Sequence, residues 1–414
     1  MQGIGPRART ILLAACLVWS WDYAGGASVS PGRVGVLYTG DPYPGISPYL
    51  LMTEDPSLSV TPVQASPGHY GGISHQDILR AIRGYMPRTF ADYVDKYDVV
   101  ILSDSDRFAF TKEQITWFAQ GVLEGGLGLL MVGGFESFGG SAGYPSWEGS
   151  PVDEVLPVQS IFAAWIGGGY NYPIIITEAG YRNEFIASLP FKPLPKYMVL
   201  GTEGNIVGLK QGSLVLARWD SAKFQDPPCY VVWEVGSGRT FAMMHDWTPA
   251  GGTEMSRWEY YQDFAVNMML YVSGRALPSD PAIVHDYRQR AQALAARKES
   301  LLALISFVDS FGGNPRPIDE QLGVLDSLIS EMERSYLDQE FARALEKTDV
   351  VASKMADVEA LAVRVKNGAL AWVYMVEWLS VTAVSLFSGA ALWTLMVRRT
   401  MLRETGITRG GMGG

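Results

Sequence analysis

The sequence has 414 residues, of which 48% are hydrophobic and 18% charged, and its formal net charge at pH 7 is −10. This length and apolar content suffice to bury one large core or two smaller ones. The acidic balance, without a basic patch interleaved with aromatic residues, predicts no nucleic-acid partner. Cysteine occurs only at Cys16 and Cys229, so no disulfide framework is predicted.

Residues 1–27 have the three-part layout of a secretory signal peptide. Two arginines precede the apolar stretch 11–21, and small residues follow it. The stretch is too short to span a bilayer, and we expect cleavage near Ala27. The alternative is a lipoprotein signal that ends at Cys16, although the apolar run before this cysteine is shorter than the usual length of about 7–15 residues.

Residues 28–277 are predicted to form an α/β domain. Apolar strand patterns alternate with helical ones, which is typical of a mostly parallel sheet flanked by helices. Later short β-branched runs predict antiparallel additions, and Gly236-Ser237-Gly238 predicts a hairpin between two strands. The predicted strands are 34–38, 59–63, 97–102, 127–132, 174–176, 214–216, 230–234 and 240–244, and the predicted helices are 47–52, 111–123 and 258–272.

Three stretches resemble one known family. They are GGFESFGG at 133–140, SPVDEVLPV at 150–158, and VWEVGSGRTFAMMHDWTP at 232–249 followed by WEYYQDF. Over residues 33–275 the chain is similar to the putative glutamine amidotransferase-like family of the class I amidotransferase-like superfamily. The resemblance implies a flavodoxin-like sheet whose site combines the turn after the fourth strand with the late histidine-containing loop.

The sequence departs from that superfamily at the residue that carries the chemistry. Amidotransferases use a cysteine on the strand-to-helix elbow, activated by a histidine. No cysteine occurs in residues 127–143, and Cys229 lies just before a late strand. Thiol catalysis at this turn is therefore excluded by composition, and we predict a binding module rather than an enzyme.

A ligand site is predicted where the strands end, because the carboxyl ends of strands in one open sheet converge on a single crevice. The predicted ligand-binding residues are Asp41, Glu136, Ser137, His245 and Asp246. They supply carboxylates, a hydroxyl and an imidazole without a lysine or arginine, which suits a neutral polyhydroxylated ligand or a cation. The alternative is that His245 and Asp246 only hydrogen-bond the glycine-rich turn and hold its shape.

Catalytic and metal alternatives are weaker. A serine hydrolase would use Ser137 as nucleophile, His245 as base, and Asp246 or Glu136 to orient it. Phe135 stands where the tight nucleophile elbow requires glycine. No metal site or cofactor is predicted. Several aromatic residues could line a sugar-binding surface or simply belong to the core: Tyr144, Trp147, Trp165, Trp247 and Trp258.

Residues 278–367 are predicted to form an α-helical hairpin stalk, because apolar residues follow the alternating three and four spacing of a coiled coil. The second arm, 317–366, would be about 75 Å long as one helix, so the tip at 312–317 should point away from the bilayer. Its far end would need a partner: a second subunit, another membrane protein or the globular domain. The residues left without one are Met355, Val358, Leu361 and Val365.

The apolar run 369–397 is long enough to span a bilayer, which takes about 20 residues. We predict a membrane helix over 368–397. Arg398 and Arg399 follow, which by the positive-inside rule places the tail 398–414 in the cytoplasm. The sequence thus predicts a single-pass cell-membrane protein whose amidotransferase-like domain is extracytoplasmic and binds a ligand or partner. The alternative is an extracytoplasmic hydrolase.

Overall fold

The computed structural model describes residues 32–40, 47–65, 74–166, 173–194, 204–247, 255–311 and 314–409, with side chains described to residue 401. The predicted signal peptide, Cys16 and Asp41 lie outside the described residues. The chain divides into two compact units: Met1–Arg288 with Arg334–Ala342, and Gln289–Glu333 with Arg343–Gly414. The domain boundaries drawn from the sequence stay predictions.

The first unit is built on an eight-stranded sheet of order β2-β1-β3-β4-β10-β9-β8-β6. The strands from β2 to β10 in this order are parallel, and β9, β8 and β6 pair antiparallel. A second sheet pairs β5 with β7. The strands are β1 (Val34–Gly40), β2 (Leu58–Gln64), β3 (Val99–Ser103), β4 (Gly128–Val132), β5 (Val158–Ile166), β6 (Ile174–Ile176), β7 (Gly204–Leu209), β8 (Leu214–Trp219), β9 (Pro228–Val235) and β10 (Gly238–Met243).

Helices cover this sheet, and most begin at a capping side chain. Thr111 forms a capping box with Gln114 at the start of the fourth helix. The eighth helix is buried on almost every side, which its apolar sequence allows. In chain order they are α1 (Tyr49–Glu54), α2 (His75–Tyr85), α3 (Phe90–Lys96), α4 (Lys112–Leu123), α5 (Pro151–Val155), α6 (Glu178–Arg182), α7 (Glu184–Ala187) and α8 (Tyr261–Val272).

The predicted fold class is confirmed: the sheet is mostly parallel with an antiparallel part, and helices follow it. All five residues of β3 and all five of β4 are buried, as their unbroken apolar sequences predict for strands covered on both faces. The hairpin at Gly236-Ser237-Gly238 joins β9 to β10. Five helices (α2, α3, α5, α6 and α7) and two strands (β5 and β7) had not been assigned from the sequence.

A buried polar cluster centred on Arg288 lies within the first unit. Arg288 is 2% exposed; its Nε lies 2.8 Å from Asp55 Oδ2, and its Nη1 lies 2.7 Å from Asp263 Oδ1. Nη1 also donates to Asn267 Oδ1 at 3.0 Å, and the Tyr336 hydroxyl donates to Asp55 Oδ2 at 3.0 Å. A buried guanidinium needs such opposite charges, because its desolvation is otherwise costly.

The helices after the sheet number three where the sequence predicted two arms. They are α9 (Pro281–Ser310), α10 (Arg316–Leu337) and α11 (Phe341–Arg409). The predicted second arm is interrupted at residues 338–340, where Gln339 adopts a left-handed backbone conformation with φ of 61°. Such a residue cannot continue a right-handed helix, so the chain reverses there.

This reversal corrects the predicted orientation of the hairpin tip. In the second unit, Lys347 and Lys354 of α11 contact Glu331 and Gln321 of α10, so these two helices run antiparallel. Arg290 and Arg297 of α9 contact Asp349 and Glu359 of α11, so those two run parallel. The tip between α9 and α10 therefore lies toward the membrane-spanning end of α11, contrary to the prediction.

The predicted need for an external partner is also wrong for two of the four residues named, while Leu361 and Val365 are half-buried. Met355 and Val358 are 0% and 1% exposed. Val351 and Ala362, on the same side of α11, are equally buried. Because α11 folds back along α9 and α10, the chain's own helices cover the Met355 and Val358 part of the apolar face that a single long arm would have left open.

The end of α11 is apolar and uncovered. The stretch from Phe341 to Met401 includes a segment of 18 residues with at most two charged side chains, and none of that segment is buried. By length and composition this helix can cross a membrane, which supports the single-pass membrane protein predicted from the sequence.

Candidate functional site

The carboxyl ends of four parallel strands meet at one edge of the sheet. Gly40 at the end of β1 pairs with Ser103 at the end of β3. Val132 ends β4 between Ser103 on one side and Met243 of β10 on the other. The turn after β4 therefore lies between the segments that follow β3 and β10, which is where an open parallel sheet offers a ligand crevice.

The two glycines that open this turn allow the backbone to approach its neighbours closely. A Cβ on Gly133 would lie 2.2 Å from the Met244 carbonyl oxygen. A Cβ on Gly134 would lie 2.4 Å from the Asp104 carboxylate carbon. Gly133 N donates to the carbonyl oxygen of His245 at 3.1 Å. The turn and the late histidine segment thus touch through their backbones, as the family resemblance implied.

The hydroxyl and carboxylate predicted in the turn are buried. Ser137 is 1% exposed, and its Oγ donates to the Val132 carbonyl oxygen at 2.6 Å. Glu136 is 3% exposed, and its backbone N donates to Asp104 Oδ1 at 2.6 Å. No helix starts at this turn: residues 133–140 form turns and bends, and Phe138 has a φ of 52°. This differs from the strand-to-helix elbow that presents a nucleophile.

Asn205 of β7 holds the turn from the other side. Its Oδ1 accepts from Gly134 N at 3.0 Å, and its Nδ2 donates to the carbonyl oxygens of Gly134 and Ser137 at 3.2 and 3.1 Å. Asn205 is 1% exposed. Sequence reasoning missed this residue, because it is 71 positions away from Gly134 and belongs to no local motif.

His245 is buried, and both nitrogens of its ring have a hydrogen-bond partner. The side chain is 0% exposed; Nε2 lies 2.8 Å from the Tyr230 hydroxyl, and Nδ1 contacts the Asp246 carbonyl oxygen. Burial lowers the pKa of His245 to about 4, against the opposing effect of the carbonyl hydrogen bond. The neutral ring must donate from Nδ1, since a carbonyl only accepts, so Nε2 accepts from Tyr230.

The predicted site residues therefore have different surroundings. Asp41 lies outside the described residues. Glu136, Ser137 and His245 are buried, and Asp246 is half-buried. The Ser137 hydroxyl bonds to the Val132 carbonyl oxygen and the His245 ring to the Tyr230 hydroxyl, so these two side chains are not engaged with each other as a catalytic pair. Whether these residues bind a ligand stays a prediction.

Cys229, the one cysteine among the described residues, is not in surroundings that favour a nucleophilic thiolate. It is a buried residue of β9 with 0% exposure. Burial raises the pKa of its thiol well above the usual value, which disfavours the thiolate that nucleophilic chemistry requires.

The surface next to the turn is aromatic. The Phe135 ring stacks on Tyr144 at 5.4 Å and on Trp165 at 5.1 Å between centroids. A groove of about 470 Å³ adjoins Tyr144, and its walls include Phe108 and Phe162, which are 62% and 64% exposed. The other lining residues are Arg107, Gly143, Pro145, Ser146 and Glu148. We call this the aromatic groove.

Three of the five aromatic residues singled out from the sequence belong to the core. Trp147, Trp247 and Trp258 are 0%, 2% and 8% exposed. Tyr144 and Trp165 are half-buried beside the aromatic groove. Within the ranges that the structure describes, no group of three or more histidine, cysteine, aspartate or glutamate side chains is placed to hold a metal ion.

Comparisons with known proteins bear on the fold. Residues 80–273 match the family model described as putative glutamine amidotransferase, which confirms the resemblance stated above. No curated protein matches the chain significantly. Among solved structures, the chain is similar to the cytoplasmic protein STM1381 from Salmonella typhimurium LT2, with 18% identity over 57% of this chain and 98% of that one and a TM-score of 0.44.

Two further structures are similar at comparable or lower levels. The cytoplasmic protein STM3548 from Salmonella typhimurium has 17% identity over 58% of this chain and 99% of that one, with a TM-score of 0.46. A β-galactosidase from Bacillus circulans sp. alkalophilus has 13% identity over 60% of this chain and 32% of that one, with a TM-score of 0.32.

Proposed function

Since residues 80–273 form a glutamine amidotransferase-like domain, we propose that the protein is a membrane-anchored, extracytoplasmic binding protein whose domain does not catalyse amidotransfer. The observation that carries this proposal is the chemistry of the turn after β4. It offers Glu136 and Ser137 where an amidotransferase has its cysteine, and the Ser137 hydroxyl is bound to the Val132 carbonyl oxygen.

The proposed ligand is neutral and polyhydroxylated, and it binds in the aromatic groove. Exposed ring faces at Phe108 and Phe162 can pack on the apolar faces of such a ligand, while Arg107 and Glu148 supply a hydrogen-bond donor and acceptor at the rim. Because the charges of Arg107 and Glu148 are opposite, the rim of the groove has no excess positive charge that would favour an anionic ligand.

The buried polar residues then act by shaping the groove. Asn205, Asp104 and the His245 backbone bind the turn that carries Phe135. Phe135 in turn stacks on Tyr144, which lines the groove. This role follows the alternative left open by the sequence, in which the histidine segment holds the turn in shape.

The proposed topology places the domain outside the cytoplasm and the C-terminus inside. It is supported by the signal-like sequence of residues 1–27, the apolar end of α11, and Arg398 and Arg399 after it. Protease added to intact cells should digest the domain, and complete protection would contradict the topology. Assembly through the stalk is not proposed, because Met355 and Val358 are covered by the chain's own helices.

The ligand class is tested by screening the full-length protein in mild detergent against an array of neutral oligosaccharides. We expect binding that weakens about two- to tenfold in Tyr144→Ala, since one ring stack contributes about 0.5–1.5 kcal/mol. Ile175→Ala is the matched control, because Ile175 is 46% exposed on β6 and does not line the groove. An array without binding would refute the ligand class.

A separate assay tests the proposal that the domain does not catalyse amidotransfer: the protein is incubated with glutamine and the released ammonia is measured. The proposal expects no ammonia above the level of a sample without protein. Ammonia release that disappears in His245→Ala would show that the domain is catalytic. The two assays are independent, so failure of the ligand class and failure of the non-catalytic assignment can be told apart.

A further inference from the structure

The tip of the helical hairpin carries an exposed aromatic pair. We define the hairpin tip as residues 307–311 and 314–316, where α9 ends and α10 begins. Phe307 and Phe311 are 42% and 40% exposed, and their ring centroids lie 4.6 Å apart. Two adjacent phenyl rings in water are unfavourable by roughly 25 cal/mol per Å² of exposed apolar surface, which indicates a contact surface.

The parallel pairing of α9 with α11 gives one estimate of where the tip lies. Arg297 forms two hydrogen bonds of 2.9 Å with Glu359. Both helices rise by about 1.5 Å per residue. Fourteen residues separate Arg297 from Phe311, and the same number of residues beyond Glu359 reaches Val373.

The antiparallel pairing of α10 with α11 gives a second estimate. Lys354 Nζ donates to Gln321 Oε1. Five residues back along α10 lie at Arg316, and five residues forward along α11 lie at Glu359. The two estimates bracket the hairpin tip between Glu359 and Val373, an interval that contains Ala369, where the apolar run of α11 begins.

The same level of α11 carries the aromatic residues expected at a membrane interface. Trp372, Tyr374 and Trp378 are 63%, 60% and 72% exposed. Tryptophan and tyrosine concentrate where headgroups meet hydrocarbon. Basic side chains lie in the bracketed interval or at the tip, namely Arg364, Lys366 and Arg316.

We propose that the hairpin tip is a second membrane contact, in which Phe307 and Phe311 insert into the headgroup region of the bilayer that α11 crosses. A lipid surface is the occupant favoured by the structure, because α11 holds the bilayer at the level of the tip through a continuous helix. Lysine and arginine side chains at this level can extend to the phosphate groups of the lipid headgroups. The second unit then contacts the membrane at two places, through the apolar end of α11 and through the hairpin tip.

The test is site-directed spin labelling of the full-length protein in lipid nanodiscs. Phe311→Cys is made in a Cys16→Ser background, where the remaining Cys229 is buried and inaccessible to the label. Collisions with oxygen, which partitions into lipid, are compared with collisions with a water-soluble nickel complex. We expect the label at position 311 to show the high oxygen-to-nickel ratio of an interfacial site, and we expect the same of Trp372→Cys.

Val350→Cys is the matched control, since Val350 is 54% exposed on α11 and nineteen residues, or about 28 Å, before Ala369. It should show the low ratio of an aqueous site. A ratio at position 311 equal to that at position 350 would overturn the proposal. The proposal would also be overturned if the label at position 311 were protected from both reagents and its spectrum showed dipolar broadening, because that result would indicate contact with a second copy of the chain. Asn314→Cys, exposed on the same tip, repeats the measurement if Phe311→Cys does not fold.

Discussion

Protonation of His245 should destabilise the first unit as the pH falls below about 6.5. The pKa of this histidine is about 4 in the folded protein, against 6.5 for a histidine in the unfolded chain. Between these values the unfolded chain binds more protons than the folded one, so the free energy of unfolding decreases as the pH falls. The stability that neutral His245 contributes is complete above pH 6.5 and is lost on approaching pH 4.

The magnitude follows from the size of the pKa shift. A difference from 6.5 to about 4 spans roughly 2.5 pH units, and each unit corresponds to about 1.36 kcal/mol. The expected loss is therefore about 3 kcal/mol. The physical cause is the enclosure of the ring, which is 0% exposed and bonded to Tyr230 and to the Asp246 carbonyl oxygen, so that a charged ring would have no water around it.

The assay is urea unfolding of the full-length protein in non-ionic detergent, followed by tryptophan fluorescence at several pH values between 7 and 4. The comparison variant is His245→Gln, whose amide does not titrate. At pH 7 we expect the variant to be less stable by about 1–3 kcal/mol, because it loses buried hydrogen bonds. Between pH 7 and 4 the wild type should lose about 3 kcal/mol more than the variant.

Carboxylates titrate equally in both proteins, so the difference between the two curves isolates His245. If the stability of the two proteins changed in parallel with pH, the reasoning would be refuted, because the pKa of His245 would then be the same in the folded and unfolded states. A variant as stable as the wild type at pH 7 would instead favour a ligand-site histidine over one that holds the turn.

The remaining predictions concern stability in the same denaturation assay. Asp55→Ala leaves the buried Arg288 without one of its carboxylates and should lower the free energy of unfolding by about 3–5 kcal/mol. Asp77→Ala breaks an exposed ion pair and should lower it by less than about 1 kcal/mol. Equal losses in the two variants would contradict the importance of burial. Gly134→Ala should cost about 1–3 kcal/mol, because its Cβ would lie 2.4 Å from a carboxylate carbon. Gly84→Ala, a helical position with nothing within 4 Å, should be neutral or stabilising by up to about 1 kcal/mol, and the reverse ranking would refute the packing argument.

The sequence determined the strands of the sheet because their patterns are local. β3 and β4 are unbroken apolar runs, and burial on both faces follows directly from that composition. The hairpin between β9 and β10 was equally visible, since Gly236-Ser237-Gly238 separates two mostly apolar strand patterns. The short helices α2 and α3 were not predicted, although their caps at Ser74 and Thr89 were present in the sequence.

The site was only partly accessible from the sequence. The glycine-rich turn and the missing cysteine are local facts. The clamp by Asn205 and the enclosure of His245 by Tyr230 join residues that are 71 and 15 positions apart. No spacing rule connects such pairs, because the sheet's strand order decides which loops meet.

The helices after the sheet show the same division. The heptad spacing determined that Leu294, Leu301 and Val308 would be buried, and they are. Which helices cover them was decided by one residue, Gln339, whose left-handed conformation reverses the chain and sends α11 back along α9. In the sequence this reversal appears only as a slip of the apolar repeat near Phe341. A periodic pattern specifies that a face must be buried, whereas the partner that buries it depends on how the chain turns between helices, and that is settled only when the tertiary contacts form.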